Sequence, residues 1–291
     1  MKKKELKFVI PGGNDPHIFE LIDHFKEEAI CFEVVDQTDL DETCQLENMV
    51  YHQVDSTDEV LRVAIEMVAK GEVDGIIKGI VQTHQLLKEV LKKDYQLVEH
   101  GFLSHVSRIS VKDTGQTFLL TDAAINITPD IKDMQKIIQN ALLVGTKIGI
   151  AQPKVALISS AENYNPKMPS SVSAKSLTEY YQAHPEEVGE GIVYGPLSLD
   201  LALSKASVHD KRFKGPIAGD ADILVVPSID VGNVLYKSLA LFSHVQMGGI
   251  VVGARVPIVL SSRGDSVANK VSSIQLALEY GGGFHGASLS D

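Results

Sequence analysis

Val256-Pro257-Ile258-Val259-Leu260-Ser261-Ser262-Arg263-Gly264-Asp265-Ser266 runs from a short apolar stretch, through a polar turn, to the foot of a segment that reaches about Tyr280. An apolar run of this length bounded by turn residues reads as a buried strand, and the helical spacing of apolar residues after Ser266 reads as a helix. Strand, turn and helix in that order are the unit of a parallel sheet covered by helices. The turn also carries chemistry. Free N–H groups at a helix start point outward, and the peptide dipoles favour negative charge there. An arginine beside them can grip a phosphate through two parallel hydrogen bonds. The plain alternative is that Asp265 or Ser266 caps the helix and Arg263 is a surface cation. Spacing alone leaves the two readings level.

The same alternation runs through the chain. Lys7 to Ile10 reads as a strand and Pro16 to Glu28 as a helix. Ser56 and Glu59 form a capping-box pattern for a helix reaching Lys70. Val73 to Lys78 is a strand, Thr83 to Lys93 a helix and Gln116 to Leu120 a strand. Thr128 caps the next helix, with Pro129 at its first position and its end near Leu143. A second series starts at the strand Lys154 to Ser159. It continues through helices near Ser173 to Ala183 and Leu197 to Val208. The strand Asp222 to Val226 follows, then a helix from Val231 to Phe242.

The chain has 291 residues, 44% of them apolar, so two domains are the expectation. The best boundary falls in Gly145 to Pro153. A net charge of −11 and an isoelectric point near 5.4 argue against nucleic acid, and there is no basic face. The two cysteines, Cys31 and Cys44, make neither a C-x-x-C pair nor a zinc spacing, which suits a reducing compartment. No signal peptide and no membrane span is read, so a cytoplasmic location is expected.

Several motifs are weighed against plainer readings. Gly281-Gly282-Gly283-Phe284-His285-Gly286 satisfies G-x-G-x-x-G. It follows a helix rather than a strand, and we reject it as a dinucleotide fingerprint. Lys78-Gly79 stands at a strand end, and Asp122 and Asn126 follow another. Asn233 reads as a helix cap, with Tyr236 and Lys237 one turn on; taken alone, an ordinary capped helix is the better account. His105 reads more readily as a satisfied structural histidine than as a base.

Together these segments resemble the phosphate acyltransferases, the phosphotransacetylases and phosphate butyryltransferases. The resemblance runs from about Asp74 to Leu278 and is weak over the first seventy residues. It is carried by Lys78-Gly79 with Thr83, Leu103-Ser104-His105-Val106, Thr121-Asp122-Ala123-Ala124 with Asn126, and Asn165-Pro166-Lys167-Met168. It continues through Gly195-Pro196-Leu197-Ser198-Leu199-Asp200, Ala218-Gly219-Asp220-Ala221-Asp222 and Gly232-Asn233 with Tyr236-Lys237, to Ser262-Arg263-Gly264-Asp265-Ser266. Many motifs in the right order are more specific than any one of them.

The resemblance implies two α/β/α domains with a cleft between them, of isocitrate/isopropylmalate dehydrogenase-like architecture. The first would comprise residues 1–149 and 253–291, the second 150–252. It implies a homodimer converting acyl-CoA and phosphate to acyl phosphate and CoA by direct transfer in a ternary complex. CoA is a substrate there, and no tightly bound cofactor or metal is expected. Ser262 resembles the serine that stabilises the oxyanion, and Arg263 the arginine that holds the phosphoryl group. Lys78, Thr83, Ser104, His105, Asp122, Asn126, Asn233, Tyr236, Lys237 and Gly264 are the implied substrate-binding residues. An acyl kinase is the implied pathway partner.

One departure matters. Phosphotransacetylases carry an aspartate seven residues after the motif serine, proposed as the base that deprotonates CoA. Here that position is Asn269. The butyryltransferase pattern also lacks the aspartate and has a lysine next, like Lys270. The departure therefore points to the butyryl and branched-chain branch. Asp265, four residues before Asn269, would share a helix face with it if the helix began there, and is a candidate base; a cap role competes with that reading. The alternatives are an acetyl- or propionyl-preferring enzyme and a non-catalytic sensor of CoA or acyl phosphate. A metal- and NAD-dependent dehydrogenase would need clustered carboxylates, and Asp220 and Asp222 find no third ligand.

Overall fold

The structure is a computed structural model describing residues 5–41, 44–98, 101–260 and 266–281. The chain begins with β1 (Leu6–Pro11), α1 (Pro16–His24), β2 (Ile30–Asp36), β3 (Met49–Gln53), α2 (Thr57–Ala69), β4 (Gly75–Ile77) and α3 (Thr83–Val90). It continues with β5 (Ser104–Val111), β6 (Gln116–Thr121), α4 (Ile131–Lys147), β7 (Lys154–Ile158), α5 (Pro169–Ala183) and β8 (Ile192–Leu197). Then come α6 (Leu199–Leu203), α7 (Lys205–Asp210), β9 (Ile223–Val225), α8 (Ile229–Phe242) and β10 (Val245–Val252), and finally β11 (Ile258–Val259) and α9 (Val267–Tyr280). Residues 1–103 and 248–291 form one compact unit and 104–247 the other. The sequence reading divided the chain at 149/150 and 252/253 instead. The earlier division follows from pairing: β6 bonds to β9, so the segment before residue 150 builds the second unit's sheet.

In the first unit the strand order is β3-β2-β1-β4-β11-β10. All neighbours are parallel except β10 and β11, an antiparallel pair that the reading of a wholly parallel sheet missed. Phe8, Val9 and Ile10 of β1 are buried, as central strands covered on both faces require. The helix α2 packs on β1 and β2. Its start follows the sequence: Ser56 Oγ accepts the Glu59 N–H at 3.3 Å, while the Glu59 carboxylate takes the Asp55 N–H at 3.1 Å. From β1 the sheet grows one way to β2 and β3, whereas β4 lies on the other side, so the order reverses between β1 and β4. Ligands of open α/β sheets bind at the carboxyl ends of strands at such a reversal. Gly79 closes that point. The Ile80 N–H bonds to Gly12 O at 2.6 Å, and a Cβ on Gly79 would stand 2.1 Å from the same oxygen.

In the second unit β6, β9, β7 and β8 are successive parallel neighbours, and β5 pairs antiparallel with β6. Ile109, Leu120, Ala156, Leu201, Leu224 and Met247 belong to its core. Two expectations are corrected. The helix after β6 is capped by Asp130, whose carboxylate accepts the Asp133 N–H at 2.9 Å, so Thr128 and Pro129 lie outside it. The expected helix from Leu197 to Val208 is instead the end of β8 followed by two short helices. The break falls at Ser204, whose hydroxyl caps the second of them by accepting the Ser207 N–H.

Candidate functional site

In the first unit, β4 and β11 deliver Lys78 to the carboxyl edge of the sheet. The Lys78 N–H donates to Val259 O at 2.9 Å, and its ammonium donates to the carbonyls of Gly79 and Val81 at 3.1 and 3.3 Å. Thr83 is exposed at the first residue of α3. Ser262, Arg263, Gly264 and Asp265 lie outside the described residues. Beyond them Ser266 caps α9, its hydroxyl accepting the Asn269 N–H at 3.2 Å. The helix α9 begins at Val267. The first turn of α9 holds no acid.

In the second unit the polar centre is Asp122, 2% exposed just past the end of β6. One carboxylate oxygen accepts the Ala124 and Ile125 N–H groups at 2.8 and 2.9 Å. The other accepts the N–H of His105 at 3.1 Å, that of Asn126 at 3.3 Å and the Asn126 side-chain amide at 2.7 Å. Five donors on one carboxylate make Asp122 the organiser of this loop. Ser104 is buried and its hydroxyl accepts from Asn140 at 2.8 Å, while the buried His105 ring contacts the Ser107 hydroxyl at 3.4 Å. Thr121, which the sequence reading passed over, has a buried hydroxyl with no hydrogen-bond partner.

Asn233 is not a cap. The helix α8 starts at Ile229, and Asn233 lies in its second turn, its amide donating to Ala123 O at 3.4 Å. Gly232 allows this approach, since a Cβ there would stand 2.8 Å from Asp122 O. Tyr236 packs on the core, and the exposed Lys237 lies over its ring at 5.8 Å. The structure thus gathers Ser104, His105, Asp122, Asn126 and Asn233 around one loop of the second unit, and places Lys78 and Thr83 in the first.

The carboxylates of Asp220 and Asp222 are both tied to Lys154, the first through its ammonium and the second through its N–H at 2.8 Å. Burial is the largest single influence and pushes the Asp220 carboxyl up, but the Lys154 hydrogen bond, the Ala218 N–H and the charges of Lys154 and Lys205 together hold it below its ordinary range. Among the described residues no group of three or more His, Cys, Asp or Glu side chains is placed to hold a metal. No helix among them is long and apolar enough to cross a membrane.

Polar residues stand at the carboxyl ends of parallel strands in each of two α/β units, where the ligands of such sheets bind. The family model described as "Phosphate acetyl/butaryl transferase" matches residues 39–278, and the chain belongs to that family: it is a phosphate acyltransferase. It is similar to the branched-chain phosphotransacylase of Enterococcus faecalis V583, with 46% identity and a TM-score of 0.88 over 95% of this chain and 99% of that one. The phosphate butyryltransferase of Clostridium acetobutylicum is 40% identical over 74% of this chain and 70% of its own. A putative 4-hydroxythreonine-4-phosphate dehydrogenase from Salmonella typhimurium shares the fold at 11% identity and a TM-score of 0.57, covering 95% of this chain and 100% of that one. The dehydrogenase-like architecture expected from the sequence is therefore present.

Proposed function

We propose that this enzyme converts a four- or five-carbon, straight or branched acyl-CoA and phosphate to acyl phosphate and CoA, reversibly, within a ternary complex. The observation that carries this reading is the first turn of α9. It holds Asn269 and no acid where the acetyl-type enzymes carry an aspartate, and it does so in a chain similar to a branched-chain phosphotransacylase. In the forward direction a phosphate oxygen attacks the thioester carbon, and the carbon–sulfur bond breaks to release the CoA thiolate. In reverse the thiolate attacks the acyl phosphate carbon and phosphate leaves. An ordinary thiol, with a pKa of about 8.5, is mostly protonated at neutral pH, so a base or a positive field aids the reverse reaction.

In this reading Ser262 donates to the oxyanion, Arg263 holds the phosphoryl group and Asp265 receives the thiol proton. Loss of one oxyanion donor costs roughly 10²–10³ in rate. Lys78, Thr83, Ser104, His105, Asp122, Asn126, Asn233, Tyr236, Lys237 and Gly264 bind or shape the substrates. A homodimer is part of the proposal. The helix α8 buries only Gly232 and exposes Val231, Val234, Leu241 and Phe242, the kind of apolar face that a second copy covers. A cytoplasmic location and an acyl kinase that consumes the acyl phosphate complete it.

The test is phosphate-dependent release of free thiol from acetyl-, propionyl-, butyryl-, isobutyryl- and isovaleryl-CoA, with Arg263→Ala as control. Release peaking at four or five carbons and lost in the variant is expected. A peak at two carbons overturns the chain-length reading, and no release from folded protein overturns the activity.

A further inference from the structure

One hydroxyl fastens α9 to β10. Ser273 Oγ accepts the N–H of Gly249, in β10, at 3.0 Å, and donates to the carbonyl oxygen of Asn269, in the first turn of α9, at 2.9 Å. Ser273 is 7% exposed and Gly249 is buried, so both groups are largely shielded from solvent. A serine that bonds back to the carbonyl four residues earlier adds little to its own helix, whose ladder already serves that oxygen. The back-bond instead turns the hydroxyl hydrogen inward and leaves a lone pair for the strand. The Gly249 N–H needs that lone pair, because a buried donor without a partner is costly.

The packing around this bond is close. A Cβ on Gly248 would stand 2.5 Å from the carbonyl carbon of Ser272, so α9 lies directly against the backbone of β10 there. Contact of this kind fixes how near the helix lies. The Ser273 bridge fixes its position along and around its axis.

Both ends of one motif are tied to this strand. On one side, β10 pairs with β11 through Ile250 with Val259 and Val251 with Ile258, and β11 is the strand that leads into Ser262-Arg263-Gly264-Asp265. On the other side, Asn269 gives its N–H to the Ser266 carbonyl and hydroxyl at 3.1 and 3.2 Å, and Ser266 follows Asp265 in the chain. Gly249, Ser273, Asn269 and Ser266 thus form one connected series of hydrogen bonds from β10 to the residue after the motif. Misplacing a reacting group by about 1 Å costs on the order of a hundredfold in rate. We propose that Ser273 is a positioning residue for acyl transfer: it holds the first turn of α9 on β10, so that the motif joining β11 to α9 is anchored at both ends. The inference rests on the phosphate acyltransferase reading above.

The experiment compares the intact enzyme with Ser273→Ala, which deletes both bonds, and with Ile274→Val, which trims a fully buried side chain of the same helix and leaves the bridge in place. Thermal unfolding is recorded for each protein. Then kcat and the KM values for phosphate and for the preferred acyl-CoA are measured well below every unfolding midpoint. Displacing Ser262 and Arg263 should lower kcat about tenfold to a hundredfold and raise the phosphate KM, with the acyl-CoA KM held within about threefold. Ile274→Val should change none of the three. A folded Ser273→Ala enzyme with kcat within about twofold of the unmodified one overturns the proposal. So does a fall in kcat with both KM values unchanged, which is the mark of lost folded enzyme, and so does a rise in the acyl-CoA KM alone. The same pattern in Ile274→Val overturns it too and leaves a packing effect. If Ser273→Ala does not fold, Ser273→Cys, of similar volume and with a weak donor and acceptor, is measured by the same criteria. An unmodified enzyme that transfers no acyl group sinks the parent reading and this proposal together, whereas an active enzyme indifferent to Ser273→Ala sinks the proposal alone.

Discussion

The side-chain amide of Asn126 donates to the Asp122 carboxylate at 2.7 Å, across the turn that follows β6. That one bond ties the two residues of the Asp122 motif together, and the remaining four donors lock the loop from its own backbone and from β5. The carboxylate is a hub for N–H groups.

Asp122→Asn places an amide, with its own N–H groups, against donors that need an acceptor. A buried, broken set of charge-assisted bonds costs about 2–3 kcal/mol. Urea unfolding of the variant is expected to show a lower midpoint with an unchanged slope, together with reduced kcat/KM. An unchanged midpoint contradicts the hub role.

Gly232→Ala inserts a Cβ that would stand 2.8 Å from Asp122 O and 2.9 Å from Ala123 Cα, both backbone atoms. The helix α8 must shift away from the loop, at about 1–3 kcal/mol. Calorimetry should record the loss of stability. Acyl transfer should fall further than it does for an alanine substitution elsewhere on α8.

Leu241 and Phe242 are 74% and 84% exposed on α8. Burying one such side chain in an interface is worth about 1.5–3 kcal/mol, and a two-fold axis counts it twice. Leu241→Glu combined with Phe242→Asp is expected to halve the mass seen by light scattering, with the helical signal retained. A variant that keeps the mass of the unmodified protein places the interface elsewhere.

The Lys211 ammonium at 2.7 Å from Asp200, followed by the Ser198 hydroxyl at 2.6 Å, lowers the Asp200 carboxyl from 3.8 to about 2. Because the folded-state value is the lower one, this contribution to stability is complete above about pH 4 and is lost as the pH falls through about 2. Lys211→Met should return the carboxyl toward its ordinary value and move the start of acid unfolding to higher pH. The pair is largely solvent-exposed, so the shift should be small at neutral pH and shrink with salt. Titration followed by carboxyl-carbon NMR reads it directly.

Much of this molecule was legible residue by residue. Ser56 with Glu59 announced the start of α2, and the run from Val256 to Ser266 announced β11 and α9. The order of the motifs from Lys78 to Ser266 pointed to the family. Those signals are local: a cap, a period of apolar residues or a turn is written within a few positions of where it acts. Other choices were not local. Thr128 and Asp130 both suit a helix start, and α4 begins after Asp130 with Ile137, Ile138 and Ala141 buried. Asn233 looked like a cap until α8 was seen to begin four residues earlier. A strand's sequence names its buried face but not its neighbour, so the antiparallel partners of β6 and β11 could not be read from either run. The pairing of Lys78 with Val259, the reach of His105 to Asp122 and the approach of Asn233 to Ala123 depend on chain segments far apart in sequence. They were decided only when burial of the apolar strands fixed which segments lie side by side, and with that, which polar groups were left facing one another.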